Sequence, residues 1–488
     1  MVFSSLAQYG VAIVVAVATL VILTTVHFAL KHKFLIPGPT FVTPILGGLI
    51  GMIRDPYGFW QHQADMAAKT GLSWNSIVSK YMVFATRADF CHKIFNANSP
   101  DTLTLVLHPN AYFILGTNNI AFQTGPSHRA LRSSFMQLFT PKALSFYLTI
   151  QDKCIREHLA AWCKVASPVE MRDRIRDLNL QTSQAVFVGP YIEDREAFNT
   201  HYMNMTNGFL AVPIYFPGTK LYTAVQSRKE VVKVLTKAVK DSKTLMAVSG
   251  NEPRSLLDYW THSILDEIVE AKQHDRPIPE YSTDHNMAET MMDFLFASQD
   301  ASTASLTWLT SLMADNPDIL RRVREEQRML RPHGEPLTYE LVQMMTFTRQ
   351  CILEQLRYMP AAPMVPMLAH APFKLNDEVT VPKGTMLIPS LVACCREGFP
   401  QPERYDPDRM GDERQEHVKF SRQYIPFGVG PHRCVGYNYA IGHLTAYLAI
   451  IATDSTWERT RTKDSDRILY LPTLYPYDCI CKWNAVKP

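Results

Sequence analysis

The segment Phe427–Gly436, FGVGPHRCVG, fixes one feature of the fold before any other. Its three glycines and its proline form an irregular loop, and a helix must follow at once, because Ala440, Ile441, Leu444, Tyr447, Leu448 and Ile451 share one face. Cys434 therefore sits at a helix N-terminus, where free amide hydrogens and the partial positive charge favour thiolate over thiol. A dinucleotide-binding loop is excluded by spacing: after Gly428 and Gly430, the third glycine position holds Arg433. Zinc would want a second cysteine at ligand spacing, and none is there. What remains is either a presented thiolate or an inert cysteine in a turn.

The 488 residues are 47% hydrophobic and carry no Gly/Ser linker, low-complexity tract or internal repeat, which favours one large, mostly helical domain. The 49 basic and 46 acidic side chains nearly cancel, and no basic stripe interleaved with aromatics points to nucleic acid. From Leu6 to Leu30 the chain is dominated by Val, Ile, Leu and Ala, long enough to cross a bilayer, and Lys31, His32 and Lys33 follow directly. Residues 1–33 are thus expected to be a single-pass membrane anchor, with the remainder on the cytosolic side by the positive-inside rule. Residues 34–46, rich in proline, form a stiff connector, and 47–488 the body. Nine cysteines without framework spacing agree with free thiols in a reducing compartment, where the sequon at Asn204 would go unused.

In the body, Met287–Ala314 reads as one long helix ended by Asn316-Pro317, apolar at both ends but polar at Ser298, Gln299, Asp300, Ser302 and Thr303. A buried polar patch needs a reason. A further helix is expected over Tyr339–Tyr358, and the Pro-rich, alternating stretch beyond Met359 predicts short strands. The architecture is mainly α with minor β.

The loop matches, at Phe427, Gly430, Cys434 and Gly436, the haem loop of the cytochrome P-450 superfamily, which the chain resembles from about Pro37 to its C-terminus. The resemblance implies the cytochrome P-450 fold, haem b as cofactor and Cys434 as the proximal iron ligand, donating electron density that promotes O–O cleavage. It implies structural support from Glu354, Arg357 and Arg409, and propionate contacts from His128, Arg132 and His432. Glu325 and Arg328 share the three-residue spacing of Glu354 and Arg357, so that spacing alone has little weight.

In most members of that family the central helix carries an acid followed by a threonine, which manage proton delivery. Here Asp300 stands for the acid, Ala301 takes the threonine position and Ser302 follows. Ser302 or Thr303 is left to hold a relaying water, unless each bonds its own helix. FASQDAS, LVLHPNAYFILGTNNIAF at Leu105–Phe122 and GPHRCVGYNYAIGHL resemble the sterol C-22 desaturases more narrowly. That resemblance implies a membrane sterol as substrate, O2, and electrons from NADPH through a flavin reductase docking near Lys419, Arg422 and Arg433, at the endoplasmic reticulum membrane. Phe296, Ala297, Ala301, Met364, Val365 and Leu474 are the expected apolar lining. Another sterol or lipid monooxygenase is the nearest alternative, and a haem or sterol carrier without turnover is the alternative of another class.

Overall fold

The computed structural model describes residues 2–31, 35–471 and 473–486. The chain forms two compact units, one built from Met1–Val106, Ala362–Glu403 and Phe420–Arg433, the other from Leu107–Ala361, Arg404–Lys419 and Cys434–Pro488.

The first unit is organised by a five-stranded sheet in the order Leu72–Ile77, Lys80–Ala85, Met386–Pro389, Met367–Ala369, Leu103–Leu105. Lys80–Ala85 and Met386–Pro389 run parallel and the other pairs antiparallel. The short strands expected past Met359 are therefore present, though they complete a sheet begun some three hundred residues earlier in sequence. The proline-rich connector is no free spacer. Ile36 and Val42 are buried in one cluster with Phe28, Trp74 and Tyr81, the Trp74 amide donates to Pro37 O at 2.9 Å, and the Val42 amide donates to Thr25 Oγ1 at 2.8 Å.

The N-terminal helix spans Val2–Leu30, with Val14, Val15, Val17, Leu20, Ile22 and Leu23 exposed along it. Its last turn is part of the first unit's core, through Phe28 and Ala29. Among the described residues no helix is long and apolar enough to cross a membrane. The side chains of residues 1–11 and 13, and the whole of His32, Lys33 and Phe34, lie outside the described residues, so the expected anchor and its basic flank fall partly there.

In the second unit the central helix runs Asp284–Asp315, its N-terminus capped by Thr283, whose hydroxyl accepts the Asn286 amide, and its end set by Asn316-Pro317. The cysteine helix covers Tyr437–Asp454. The single helix expected over Tyr339–Tyr358 is instead two, Tyr339–Met344 and Thr346–Tyr358, because Met345 leaves helical dihedrals at φ −77°, ψ 70°. Glu326, from another helix, supplies the missing cap: its carboxylate accepts the amides of Phe347 at 2.6 Å and Thr348 at 2.9 Å. No local pattern near residue 345 announces a capping group some twenty positions away.

Candidate active site

Cys434 is exposed, whereas seven of the other eight cysteines are buried and Cys163 is half-buried. Gly436 is the N-cap of the cysteine helix, which places the amide-rich first turn beside the sulfur. A Cβ added at Gly436 would meet only Cys434 Sγ within 4 Å, at 3.9 Å, so the backbone next to the sulfur is clear. Upstream, in the first unit, Gly430 has φ +76°, and a side chain there would strike Asn96 Oδ1 at 2.9 Å and Phe95 O at 3.0 Å. Only glycine fits. Phe427 and His432 are half-buried, while Arg433 is exposed.

Glu354, Arg357 and Arg409 come together inside the second unit, all but unexposed. Arg357 donates to both Glu354 oxygens, Nε–Oε2 2.7 Å and Nη2–Oε1 2.9 Å, and Arg409 Nε donates to Oε1 at 3.0 Å. Burial pushes the Glu354 carboxyl above its ordinary value, and Arg357 and Arg409 oppose that shift. The cluster is larger than the sequence implied. Arg409 Nη1 also donates to Glu416 at 2.9 Å, the Asp406 amide donates to Glu354 at 3.0 Å, and both guanidiniums reach Arg404 O at 3.2 Å. Glu416 follows Arg409 by seven residues across a turn, a separation without a recognisable pattern. By contrast Glu325 pairs with Arg321 on an exposed face.

The polar centre of the central helix divides into two sets of side chains. The first, on the face towards Asn179, is structural. Asn179 Nδ2 donates to Ser298 O at 2.9 Å and Gln299 O at 2.8 Å, Ser183 and Ser298 share a hydroxyl hydrogen bond of 3.0 Å, and Gln299 Nε2 donates to Arg176 O at 3.2 Å. Thr303 belongs to this face: it is fully buried and bonds its own helix at Gln299 O, 2.6 Å. It has no hydrogen left for a relaying water.

The second set is uncovered without sharing one face: Ala297 and Ala301 adjoin, one turn apart, while Asp300 and Ser302 project about 160° from each other. The helix is buried throughout Met287–Asp293 and again over 303–313, but between them Ala297 is exposed and Phe296, Asp300, Ala301 and Ser302 are half-covered. Among the described residues no hydrogen bond reaches the Asp300 carboxylate or the Ser302 hydroxyl; only the Asp300 backbone carbonyl is engaged, by Tyr475 Oη at 3.2 Å. Burial raises the Asp300 carboxyl above its usual range, and Arg176 pulls it partly back. An uncovered stretch in an otherwise buried helix, with a protonatable carboxyl at its edge, is where a flat apolar cofactor and a substrate fit.

His128 is buried on the helix Gly125–Ser134 and its imidazole is held down to about 4, by burial first and then by Arg132 and Arg129. A neutral imidazole can donate a hydrogen bond to a haem propionate, whose charge a neighbouring guanidinium would balance. Phe296 packs its ring 5.1 Å from Phe209. In the first unit Met364 bridges to Ser390 and Val365 packs against the main cluster, both half-buried. Leu474, expected in the lining, is sealed in the core: its amide donates to Ala361 O at 3.3 Å and its carbonyl accepts Trp308 Nε1 at 2.9 Å. The strand Thr473–Pro476 presses against the central helix there, and leaves this side chain no free surface.

An exposed cysteine at a helix start, an uncovered stretch of the central helix and a buried neutral histidine beside the half-buried Arg132 suit a haem whose iron takes a thiolate ligand. The family model for cytochrome P-450 matches residues 36–472, and the chain belongs to that family. Cytochrome P-450 710A3 of Arabidopsis thaliana is 39% identical over 486 residues, covering 98% of this chain and 96% of the relative. C-22 sterol desaturases of Aspergillus fumigatus and Candida albicans are 30% and 31% identical, each across 94% of this chain and 92% and 89% of their own lengths. The solved structure of retinoic acid bound cyanobacterial CYP120A1 superposes with a TM-score of 0.78 over 92% of this chain and 99% of its own at 21% identity, a likeness of fold.

Proposed function

We propose that this chain is a membrane-anchored sterol C-22 desaturase. A sterol with a saturated side chain, O2, two electrons and two protons give the C-22 alkene and two molecules of water, the electrons coming from NADPH through a flavin reductase. Two relatives named C-22 sterol desaturase, aligned over nine-tenths of the chain, support the substrate class. The observation that carries the reaction type is the pairing of Asp300, raised by burial and with no hydrogen bond on its carboxylate among the described residues, with Ala301, which puts a methyl group and no hydroxyl beside the uncovered stretch.

The haem, when bound, supplies oxygen activation and the removal of hydrogen from unactivated carbon. Cys434 would provide the thiolate, and in the same unit Arg132 would balance a propionate's charge while the neutral His128 imidazole would donate a hydrogen bond to it; His432, in the first unit, is the further contact that the resemblance implies. Asp300 holds a proton to higher pH than an ordinary carboxyl and gives it up through a water; Ser302, two residues on, projects from nearly the opposite side of the helix and does not share that water directly. Ala297 and Ala301 keep the helix surface low, so two adjacent side-chain carbons lie within reach together, with Phe296 as a wall. The N-terminal apolar run, followed by Lys31, anchors the body on the cytosolic face of the endoplasmic reticulum. For docking of the reductase, Arg422 and Arg433 are exposed in the first unit, where Arg422 also pairs with Asp89 at 3.3 Å, and Lys419 is exposed in the second.

Reconstitution of the purified chain with reductase, NADPH and a saturated-side-chain sterol tests the proposal by product mass and double-bond position. Alcohol as the main product would make it a hydroxylase, and loss of nuclear methyl groups a demethylase. Replacing Cys434 by His should abolish both turnover and the red-shifted Soret band of the reduced carbon-monoxide complex, because imidazole lacks the thiolate's charge. A retained band would move the iron ligand to another cysteine.

A further inference from the structure

The segment Leu107–Phe122 is strapped to the central helix by three polar ties that climb one face of it. At the lowest, Asn118 Nδ2 donates to Asn286 Oδ1 at 3.4 Å. One turn up, Arg228 bridges the two elements, donating through Nε to Ile114 O at 2.9 Å and pairing with Glu289. Gly116, at φ +85°, is what lets the strap pass: a Cβ there would lie 2.5 Å from Arg228 Nη2 and 3.1 Å from Glu289 Oε1. The highest tie is Asp293, whose carboxylate accepts Asn119 Nδ2 on one oxygen and the Ile120 amide at 3.3 Å on the other. Asn119 in turn closes its own turn, accepting the Ala121 amide at 2.8 Å.

Positions 286, 289 and 293 lie on one helical face, and the next position of that stripe is 297, where the helix becomes exposed. The strap thus ends at the rim of the bare stretch. Asp293 and Asn119 are both buried, and a carboxylate is a costly way to hold a loop that an amide or a water would also hold. Burial raises the Asp293 carboxyl well above its ordinary value. The expense is justified where the loop must stay in one position.

We infer that Asp293 is a positioning residue for the reaction: by fixing the turn Asn119–Phe122 at the rim beside Ala297, it sets where the Ile120 side chain stands and so how far the substrate's tail extends along the central helix. This rests on the sterol reading of the site. Asp293 touches no reacting atom; it acts through Ile120.

The test compares three variants of the full-length holoprotein: Asp293→Asn, the exchanged pair that combines Asn119→Asp with Asp293→Asn, and Ile120→Ala. In Asp293→Asn one amide group faces two donors and one donor goes unmet. The exchanged pair restores complementary partners, because the side-chain amide now at 293 accepts from the Ile120 backbone and donates to the carboxylate now at 119. Three readouts are taken: sterol affinity from the haem spin-state shift, the share of alkene in the product, and hydrogen exchange of the amides at 118–122. Asp293→Asn should weaken sterol binding about tenfold, lower the alkene share and speed exchange at 118–122, with the carbon-monoxide spectrum intact; the exchanged pair should recover all three, and Ile120→Ala should reproduce the first two without the third. A lowered Tm with unchanged affinity and product share overturns the inference, as does an exchanged pair that recovers Tm alone. If the wild-type chain shows no sterol-induced shift, the sterol reading fails instead, and unchanged exchange at 118–122 in Asp293→Asn then overturns the strap by itself.

Discussion

Glu354 and Asp300 are both carboxylates inside the second unit, and they are held in opposite ways. Glu354 is enclosed by Arg357, Arg409 and the Asp406 amide, with Glu416 completing the charge balance. Asp300 has only the more distant field of Arg176, no hydrogen bond on its carboxylate among the described residues, and one side open. Both are raised by burial, so the direction of the shift does not separate them; the partners do. A carboxylate with every lone pair answered fixes geometry, and one left unanswered at an opening is poised to exchange a proton.

The comparison breaks first at Glu354. Glu354→Gln leaves two buried guanidiniums facing an amide, and losing one partner of a buried ionic cluster costs about 3–5 kcal/mol. Urea unfolding should show that loss, together with poor haem retention, at pH above the raised Glu354 carboxyl, and the difference should shrink in acid as the wild-type carboxyl itself takes up a proton. A stability change below about 1 kcal/mol would mean that water or Glu416 re-forms the cluster, and the contrast drawn here would collapse.

Asp300→Asn is expected to do the reverse, slowing product formation about 100-fold while the fold holds. The raised carboxyl keeps its proton to higher pH than in the unfolded chain, so folding at neutral pH carries a cost that disappears once the pH falls below both values. Removing the carboxyl therefore leaves stability equal or slightly higher near pH 7, with no difference in acid. The wild-type rate should fall on the alkaline side as Asp300 deprotonates, and Asp300→Asn should flatten that limb. Equal destabilisation by the two substitutions in parallel melts would show that Asp300 is a structural group after all.

What the sequence disclosed follows the range over which each feature acts. The Cys434 loop, the central helix and its end at Pro317 are written in contiguous residues, and they were legible. The pairing of Glu354 with Arg357 was legible through the resemblance, since Glu325 and Arg328 have the same spacing and Glu325 pairs instead with Arg321 among the described residues. Partners from distant segments stayed hidden: Glu416 on Arg409, Glu326 capping the helix at Thr346, and Asn179 answering half of the polar patch on the central helix. The bond of Thr303 to Gln299 O is what separates it from Ser302, a choice the sequence left open because two adjacent hydroxyls on a helix look alike. The connector misled in the other direction. Its prolines describe a rigid extended chain correctly, but nothing local says that Ile36 and Val42 are buried beside Trp74.

The smallest expected effect sharpens the comparison most, because it leaves both carboxylates in place. Ala301 is half-covered, one residue past Asp300 and four past the exposed Ala297, so a larger side chain at 301 projects into the bare stretch rather than into packed core. Threonine adds a methyl and a hydroxyl there. In a helix that hydroxyl can turn back to the Ala297 carbonyl, as Thr303 does to Gln299, which limits the cost in stability to the few tenths typical of helix propensity. Its bulk still stands where two adjacent substrate carbons must lie together. We expect Ala301→Thr to keep the haem and its thiolate spectrum and to shift the alkene-to-alcohol ratio on one sterol roughly threefold towards alcohol, a change of about 0.7 kcal/mol in relative barriers. The ratio is an internal measure, independent of enzyme loading and reductase supply. An unchanged ratio at an unchanged rate would remove Ala301 from the chemistry and leave the desaturase reading to rest on its relatives, whereas a changed ratio with the Asp300 pH limb intact would separate proton delivery from substrate placement on adjacent residues of one helix.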